Sequence, residues 1–301
     1  MTIKKSEIID GIIVINKPIG VSSNWALQKV KYLLNAKKAG HTGNLDPMAT
    51  GVLPICLGKA TKVSPYLLNA NKAYFGRIQL GTSTNTGDKE GQVITTSAPP
   101  KYLTKQVIEK TLKNFIGFKK QIPPMYSALK HNGKRLYELA RQGITVDRPA
   151  RAINIFSLKC LKYDPIYHTV DIKVKCSKGT YIRTLGCDIA KELGCVGHLS
   201  YLHRFKCGIF AEDDMHEIST LKDFSKIKIN KLVNNIESIF SNQPILRLSH
   251  SEVKEFYHTG RLLPKVSLSS GIIKIYYQDS FIAIANFNNG VLIKKITFHE
   301  A

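Results

Sequence analysis

The 301-residue sequence predicts an α+β protein, with a mainly antiparallel mixed sheet followed by a small β-rich C-terminal unit. Three observations carry this prediction. Runs rich in β-branched and aromatic residues recur at 12–15, 74–80, 153–161 and 169–175. Segments with apolar residues at helical spacing lie among them without strict strand–helix alternation, which argues against a doubly wound parallel sheet. Beyond Pro244 the pattern shortens to candidate strands at 272–277, 281–286 and 291–298, the last two separated by Asn288-Asn289-Gly290, a hairpin turn signal.

In chain order, Ile12-Ile13-Val14-Ile15 reads as a buried strand and Pro18-Ile19-Gly20 as the turn that ends it. A helix is predicted from about Ser22, where Ala26, Leu27, Val30, Leu33 and Leu34 share one face and Trp25 joins the first turn. Further helices fit 105–115, 135–141 and 184–193. An Asn-rich stretch at 230–243 reads as helical, and a domain boundary is placed at its end, giving units 1–243 and 244–301. A short helix at 251–258 opens the second unit. The first is expected to fold alone if the second covers no large apolar face.

Composition narrows the function. Forty-four Lys and Arg against 22 Asp and Glu give +22, a field that attracts polyanions and favours nucleic acid over a neutral metabolite. Residues 244–301 contribute only +3 of this, from seven basic and four acidic side chains, so the main polyanion-binding face is expected upstream. No apolar run reaches the roughly 18 residues of a membrane span and the first residues lack a signal-peptide core, so a cytoplasmic location is expected. Six cysteines without a Cys-x-x-Cys pair suggest reduced, structural thiols and no metal site.

The most informative stretch is 40–54, GHTGNLDPMATGVLP. Three glycines free its backbone, and Pro47 denies a helical conformation to the residue before it, so the loop can hold the carboxylate of Asp46 rigidly. An isolated Asp-Pro pair is ordinarily a turn with the acid as a local cap. The whole run argues instead for Asp46 as a nucleophile, since a carboxylate attacks without prior deprotonation.

That run resembles the GHTGxLDPxATGxLP signature of the bacterial tRNA pseudouridine-55 synthases, and the resemblance extends in order through residues 16–23, 72–74, 121–128 and 176–185. It implies a stand-alone, cofactor-free enzyme that isomerises the T-loop uridine of transfer RNA, acting as a monomer on the T arm without an obligatory protein partner. Residue by residue, it implies Asp46 as nucleophile, Arg183 as its bidentate partner, Tyr74 as a stacking and proton-transferring group, and Leu202 as the opposite wall of the base pocket. His41 is assigned to RNA positioning and base flipping. Lys17, Asp88 and Tyr181 complete the substrate side, the first two as supporting groups. Residues 121–143 read as a mobile RNA-gripping insertion, with Lys130, Lys134 and Arg135 on phosphates. The C-terminal unit resembles an RNA-binding PUA-like domain. Asn44 and Asn85 depart from the family pattern, which usually has a small residue or Thr at the first and Asp at the second. Two alternatives are a relative that works inside a guide-RNA complex and an RNA-binding or tRNA-folding protein; intact Asp46, Tyr74 and Arg183 argue against the purely binding one.

Overall fold

In the strand Thr169–Cys176, Val170, Ile172, Val174 and Cys176 are buried while Lys173 and Lys175 are exposed, so this strand presents one apolar face to the core and one polar face outward, whereas the strands Gly11–Lys17 and Thr50–Leu57 are buried on both faces. The computed structural model describes residues 9–223 and 231–298. In chain order it contains β1 (Gly11–Lys17), β2 (Ala39–His41), β3 (Thr50–Leu57), β4 (Lys72–Leu80), β5 (Thr82–Thr84), β6 (Val93–Thr96), β7 (Gly117–Gln121), β8 (Lys130–His131) and β9 (Lys134–Arg135). These are followed by β10 (Arg151–Asp164), β11 (Thr169–Cys176), β12 (Gly197–Cys207) and β13 (Phe210–Ala211). The helices among them are α1 (Ser23–Leu33), α2 (Ser64–Asn69), α3 (Lys105–Lys113), α4 (Leu136–Arg141) and α5 (Ile182–Glu192).

The main sheet runs β1-β3-β12-β4-β11-β10-β7, with β2 added to β3 and β13 to β12. Every pairing is antiparallel except β3 with β12, which matches the predicted class. The lone parallel contact is tight. A side chain on Gly51 would strike the backbone of Arg204, and Gly51 has φ +105°, so only glycine fits where β3 meets β12.

Helix α1 starts where predicted: the Ser22 hydroxyl accepts from the Trp25 N–H at 3.0 Å, and Ala26, Leu27 and Val30 are buried. Trp25 itself is exposed. Helix α5 begins at Ile182 and buries Ile182, Leu185, Ile189 and Ala190 on the sheet, carrying Arg183 inward with them. The predicted helices therefore exist with ends shifted by one or two residues. In the 230–243 stretch residues 231–232 are helical and Ile236–Phe240 form a 3-10 turn; Asn230 lies outside the described residues.

A second sheet is ordered β14 (Ile245–Leu248), β16 (Gly271–Tyr277), β17 (Ser280–Asn288), β18 (Val291–Thr297), β15 (Arg261–Leu262). Helix α6 (His250–Thr259) packs on it, opened by a Ser249–Glu252 capping box and closed by Gly260 at φ +73°. This unit does cover an apolar face of the first. Ile284 and Phe298 share a buried cluster with Ile12 and Val14 of β1, Val52 of β3, and Phe240. Lys62 Nζ donates to the Thr297 carbonyl at 2.7 Å, and buried Lys274 pairs with Glu237 at 2.8 Å. The condition set for independent folding of 1–243 is not met.

Candidate active site

Asp46 sits in the loop between β2 and β3, and residues on either side of it are anchored in the core. Leu45, Met48 and Ala49 are buried. The Ser23 hydroxyl of α1 donates to the Leu45 carbonyl at 3.2 Å and accepts from its N–H at 2.8 Å. Lys17, fully buried at the end of β1, donates to the carbonyls of Pro18 (2.8 Å), Val21 (2.7 Å) and Pro47 (3.3 Å). Burial lowers its ammonium to about 8, and the charges of Asp46 and Glu90 act the other way. Lys17 is thus a clamp on the loop.

Arg183 meets Asp46 side-on. Its Nε donates to Oδ2 at 2.8 Å and its Nη2 to Oδ1 at 3.1 Å, a bidentate charge-assisted pair that fixes the carboxylate plane. Two further guanidinium hydrogens go to the carbonyls of Thr86 (2.8 Å) and Tyr126 (2.7 Å), while Asp88 Oδ2 lies 3.5 Å from Nε. The Arg183 side chain is 4% exposed and Asp46 34%, so the cation is sealed beneath a carboxylate that still opens to solvent. Asp88 is buried and held by the Thr86 hydroxyl (2.6 Å) and the Glu90 N–H (3.0 Å).

Tyr74 and Leu202 lie buried on adjacent strands, with Leu202 opposite Gly76 and Tyr74 opposite Arg204. Burial pushes the Tyr74 hydroxyl well above the ordinary tyrosine range, with the Arg204 guanidinium opposing the shift. His41 belongs to β2 rather than to a free loop. Burial, then the Arg204 charge, lowers its imidazole, and its Nδ1 is buried without a hydrogen-bond partner. Tyr181 precedes α5 and is locked to buried Gln121 through both its N–H (2.8 Å) and its carbonyl (3.1 Å).

The segment expected to grip RNA is anchored at its start, since Gln121 holds Tyr181 and the Tyr126 carbonyl holds Arg183. Beyond that, Lys130, Lys134 and Arg135 stand exposed on the two-residue strands of the β8–β9 hairpin. Asn85 points into its own turn, its Oδ1 accepting from the Gln92 N–H at 3.0 Å. Asn44 presents its carbonyl to Arg204 at 3.5 Å.

Sequence reasoning missed Arg204, Glu90 and Ser23. Arg204 follows Leu202 by two, the spacing that puts both on one strand face, but a strand arginine is ordinarily outward. Glu90 is raised by burial and by the neighbouring Asp88 and Asp46 carboxylates, which marks it as part of the site's charge network. Ser23 closes the matched stretch 16–23, but nothing in that stretch assigns it a role.

Residues 31–182 match the profile of the N-terminal domain of the TruB family of pseudouridylate synthases, and residues 183–241 that of the tRNA pseudouridylate synthase B C-terminal domain. The chain is 47% identical over 292 residues to tRNA pseudouridine synthase B of Francisella philomiragia, covering 97% of this chain and 96% of that protein. The chain belongs to the TruB family. The corresponding protein of Francisella tularensis subsp. novicida is 48% identical over the same coverage. Among solved structures, a chain of a Cbf5-Nop10-Gar1 complex superposes with TM-score 0.70 at 26% identity, covering 93% of this chain and 78% of that one. A chain of an H/ACA RNP bound to a substrate RNA containing 2'-deoxyuridine shares the fold with TM-score 0.72 at 23% identity, covering 97% and 86%. For a TruB-family chain, the Asp46–Arg183 pair therefore lies across the seam of the two family profiles, one residue from each.

Proposed function

We propose that this TruB-family protein isomerises the T-loop uridine of transfer RNA, position 55, to pseudouridine, with Asp46 as nucleophile. The observation that carries the reading is the Asp46 carboxylate, one-third open to solvent yet fixed in plane by a buried bidentate arginine. Its relatives named tRNA pseudouridine synthase B, similar over almost their whole length, support the reaction and the substrate. The reaction breaks the N1–C1′ bond, turns the base, forms C5–C1′, and moves one proton from C5 to N1. An ionised carboxylate suits the first step because it needs no base to activate it and can stabilise positive character at the sugar. Arg183 keeps it aimed through the bidentate pair, and Asp88 lies 3.5 Å from the Arg183 Nε. Tyr74 and Leu202 form the walls that keep the detached base from diffusing.

His41, its imidazole held low, fills the space left by the flipped base as a neutral ring. The β8–β9 hairpin brings Lys130, Lys134 and Arg135 to the RNA backbone. We divide the chain into a catalytic unit, 1–243, and a PUA-like RNA-binding unit, 244–301, packed as one body through the Phe240, Ile284 and Phe298 cluster. The protein acts in the cytoplasm as a monomer, without cofactor or obligatory protein partner. The guide-RNA-dependent reading is disfavoured by the near-complete coverage of relatives named tRNA pseudouridine synthase B. Incubation of the purified chain with an unmodified tRNA transcript, followed by mapping of pseudouridine by position, tests reaction and site together. Pseudouridine confined to the T loop supports the proposal; its absence, or its appearance only with added guide RNA, overturns it.

A further inference from the structure

Tyr74 and Leu202 turn inward from β4 and β12, so their neighbours Phe75 and His203, paired in the register, project from the opposite face of the sheet. That outer face has no role in the scheme above. Phe75 stacks on Phe205, with ring centroids 4.4 Å apart and planes inclined by 30°. Lys173 Nζ lies over both rings, 5.1 and 4.9 Å from their centroids. Lys159 of β10 stands directly opposite Lys173 of β11, and one pleat along the sheet Lys175 and Lys206 flank Ala73 of β4 from either side. All four lysines are exposed, and none has an ion-pair partner among the described residues. Strands about 4.8 Å apart place β10 and β12 about 14 Å from one another, so the four cations surround the aromatic pair. Like charges directly opposite one another destabilise a sheet, an arrangement that folding alone does not favour. One pleat in the other direction the charge is balanced, because Arg77 makes a bidentate pair with Asp171 at 2.6 and 2.8 Å. The uncompensated charge is thus confined to the aromatic pair and its surroundings. Phe156 and Phe118, 41% and 85% exposed, continue the aromatic surface toward the β7 edge.

We propose that this outer face is a second RNA-binding surface, which takes a single-stranded RNA separate from the T arm at Asp46. A base stacks on Phe75 and Phe205 in place of the Lys173 ammonium, and Lys159, Lys173, Lys175 and Lys206 meet the flanking phosphates. Charge complementarity selects a polyanion, and the stacked rings select unpaired bases over a duplex, whose bases are already stacked on one another. An acidic protein would answer the cations and leave the rings without a partner. The inference is independent of which residue attacks the uridine.

The test titrates the full-length protein with a fluorescent oligoadenylate of about 12 nucleotides, which holds neither uridine nor duplex, with and without excess unlabelled T-arm stem-loop. The oligonucleotide should bind, and the stem-loop should leave its affinity within about twofold. Replacing Lys159, Lys173, Lys175 and Lys206 together with glutamine should weaken oligonucleotide binding at least about tenfold and lower the log–log salt slope by roughly 2 to 3, at about 0.7 per phosphate contact on a single strand. The single-turnover rate of that variant on saturating tRNA should stay within about twofold of the wild type. Phe75→Leu with Phe205→Leu keeps the charge and the apolar bulk but removes the stacking surface, and should weaken binding roughly fivefold or more. If circular dichroism shows the leucine pair unfolded, Phe205→Leu alone should weaken binding in the same direction. Absent binding, full displacement by the stem-loop, or equal weakening by glutamines at Lys130, Lys134 and Arg135 would overturn the proposal. Leucine variants that bind as the wild type does would overturn it too, reducing the face to a bare basic patch.

Discussion

Replacing Arg183 with methionine should destabilise the protein by about 4 kcal/mol, and the structure says where that loss resides. Removing one partner of a buried ion pair typically costs about 3–5 kcal/mol because the other charge stays behind unpaired. Of the two carboxylates on Arg183, Asp46 is 34% exposed and can be rehydrated, but Asp88 is 5% exposed and cannot. The orphaned charge is therefore Asp88, with the Thr86 and Tyr126 carbonyls adding roughly 1 kcal/mol each as they lose a donor. Adding Asp88→Asn to the methionine variant should recover about half of the loss, since the amide oxygen still accepts from the Thr86 hydroxyl and the Glu90 N–H while the charge is gone. An unpaired buried carboxylate binds a proton more readily folded than unfolded, so the deficit of the single variant should shrink as pH falls and grow as it rises. Urea unfolding reads all three: with a slope of about 3 kcal/mol per molar, the single variant should unfold more than about 1 M earlier than wild type. Neither variant should regain turnover. A single variant within about 1 kcal/mol of wild type, or a double variant no more stable than the single, would refute the assignment of Asp88 as the buried counter-charge.

Tyr74→Phe keeps the stacking surface and removes the hydroxyl, so the single-turnover rate should fall at least tenfold with tRNA affinity nearly unchanged; an unchanged rate leaves Tyr74 a packing residue. Binding should weaken with salt at a log–log slope of roughly −0.7 to −0.9 per phosphate contacted, and replacing Lys130, Lys134 and Arg135 together with glutamine should flatten that slope without slowing the saturated rate. An intact slope would remove the hairpin from the backbone contacts. A chain ending at Gln243 would expose Ile12, Val14, Val52 and Phe240, which the C-terminal sheet covers through Ile284 and Phe298, and should aggregate or lose its cooperative transition. A soluble, cooperatively folding truncation would contradict the shared core.

How far the sequence could be read depended on whether a residue's neighbours were local. Strands β4, β10 and β11 announced themselves by alternation and β-branched residues, and α1 by its Ser22 cap and apolar face. The pairing of Asp46 with Arg183 spans 137 positions and no periodicity encodes it; it was accessible only through the resemblance of two separate motifs. Pro54 reads as a strand breaker but lies inside β3. It is accommodated just where β2 has ended, with Thr42 donating through its N–H and hydroxyl to the Pro54 carbonyl. Arg204 stayed hidden because a strand arginine looks like a surface residue until the loop carbonyls that surround it are seen. The shared core under Ile284 and Phe298 was equally invisible, since apolar residues in a hairpin do not say which of two faces they cover.

Asp46→Asn tests most directly whether Asp46 supplies the nucleophile. The amide keeps the shape and can still face Arg183, but it lacks the charge that attacks. On an unmodified tRNA transcript in single-turnover excess, the variant should form no pseudouridine in the T loop while binding tRNA within a few-fold of the wild type. Substantial pseudouridine from an Asp46→Asn protein whose sequence has been verified by mass spectrometry, so that reversion to aspartate is excluded, would contradict the account.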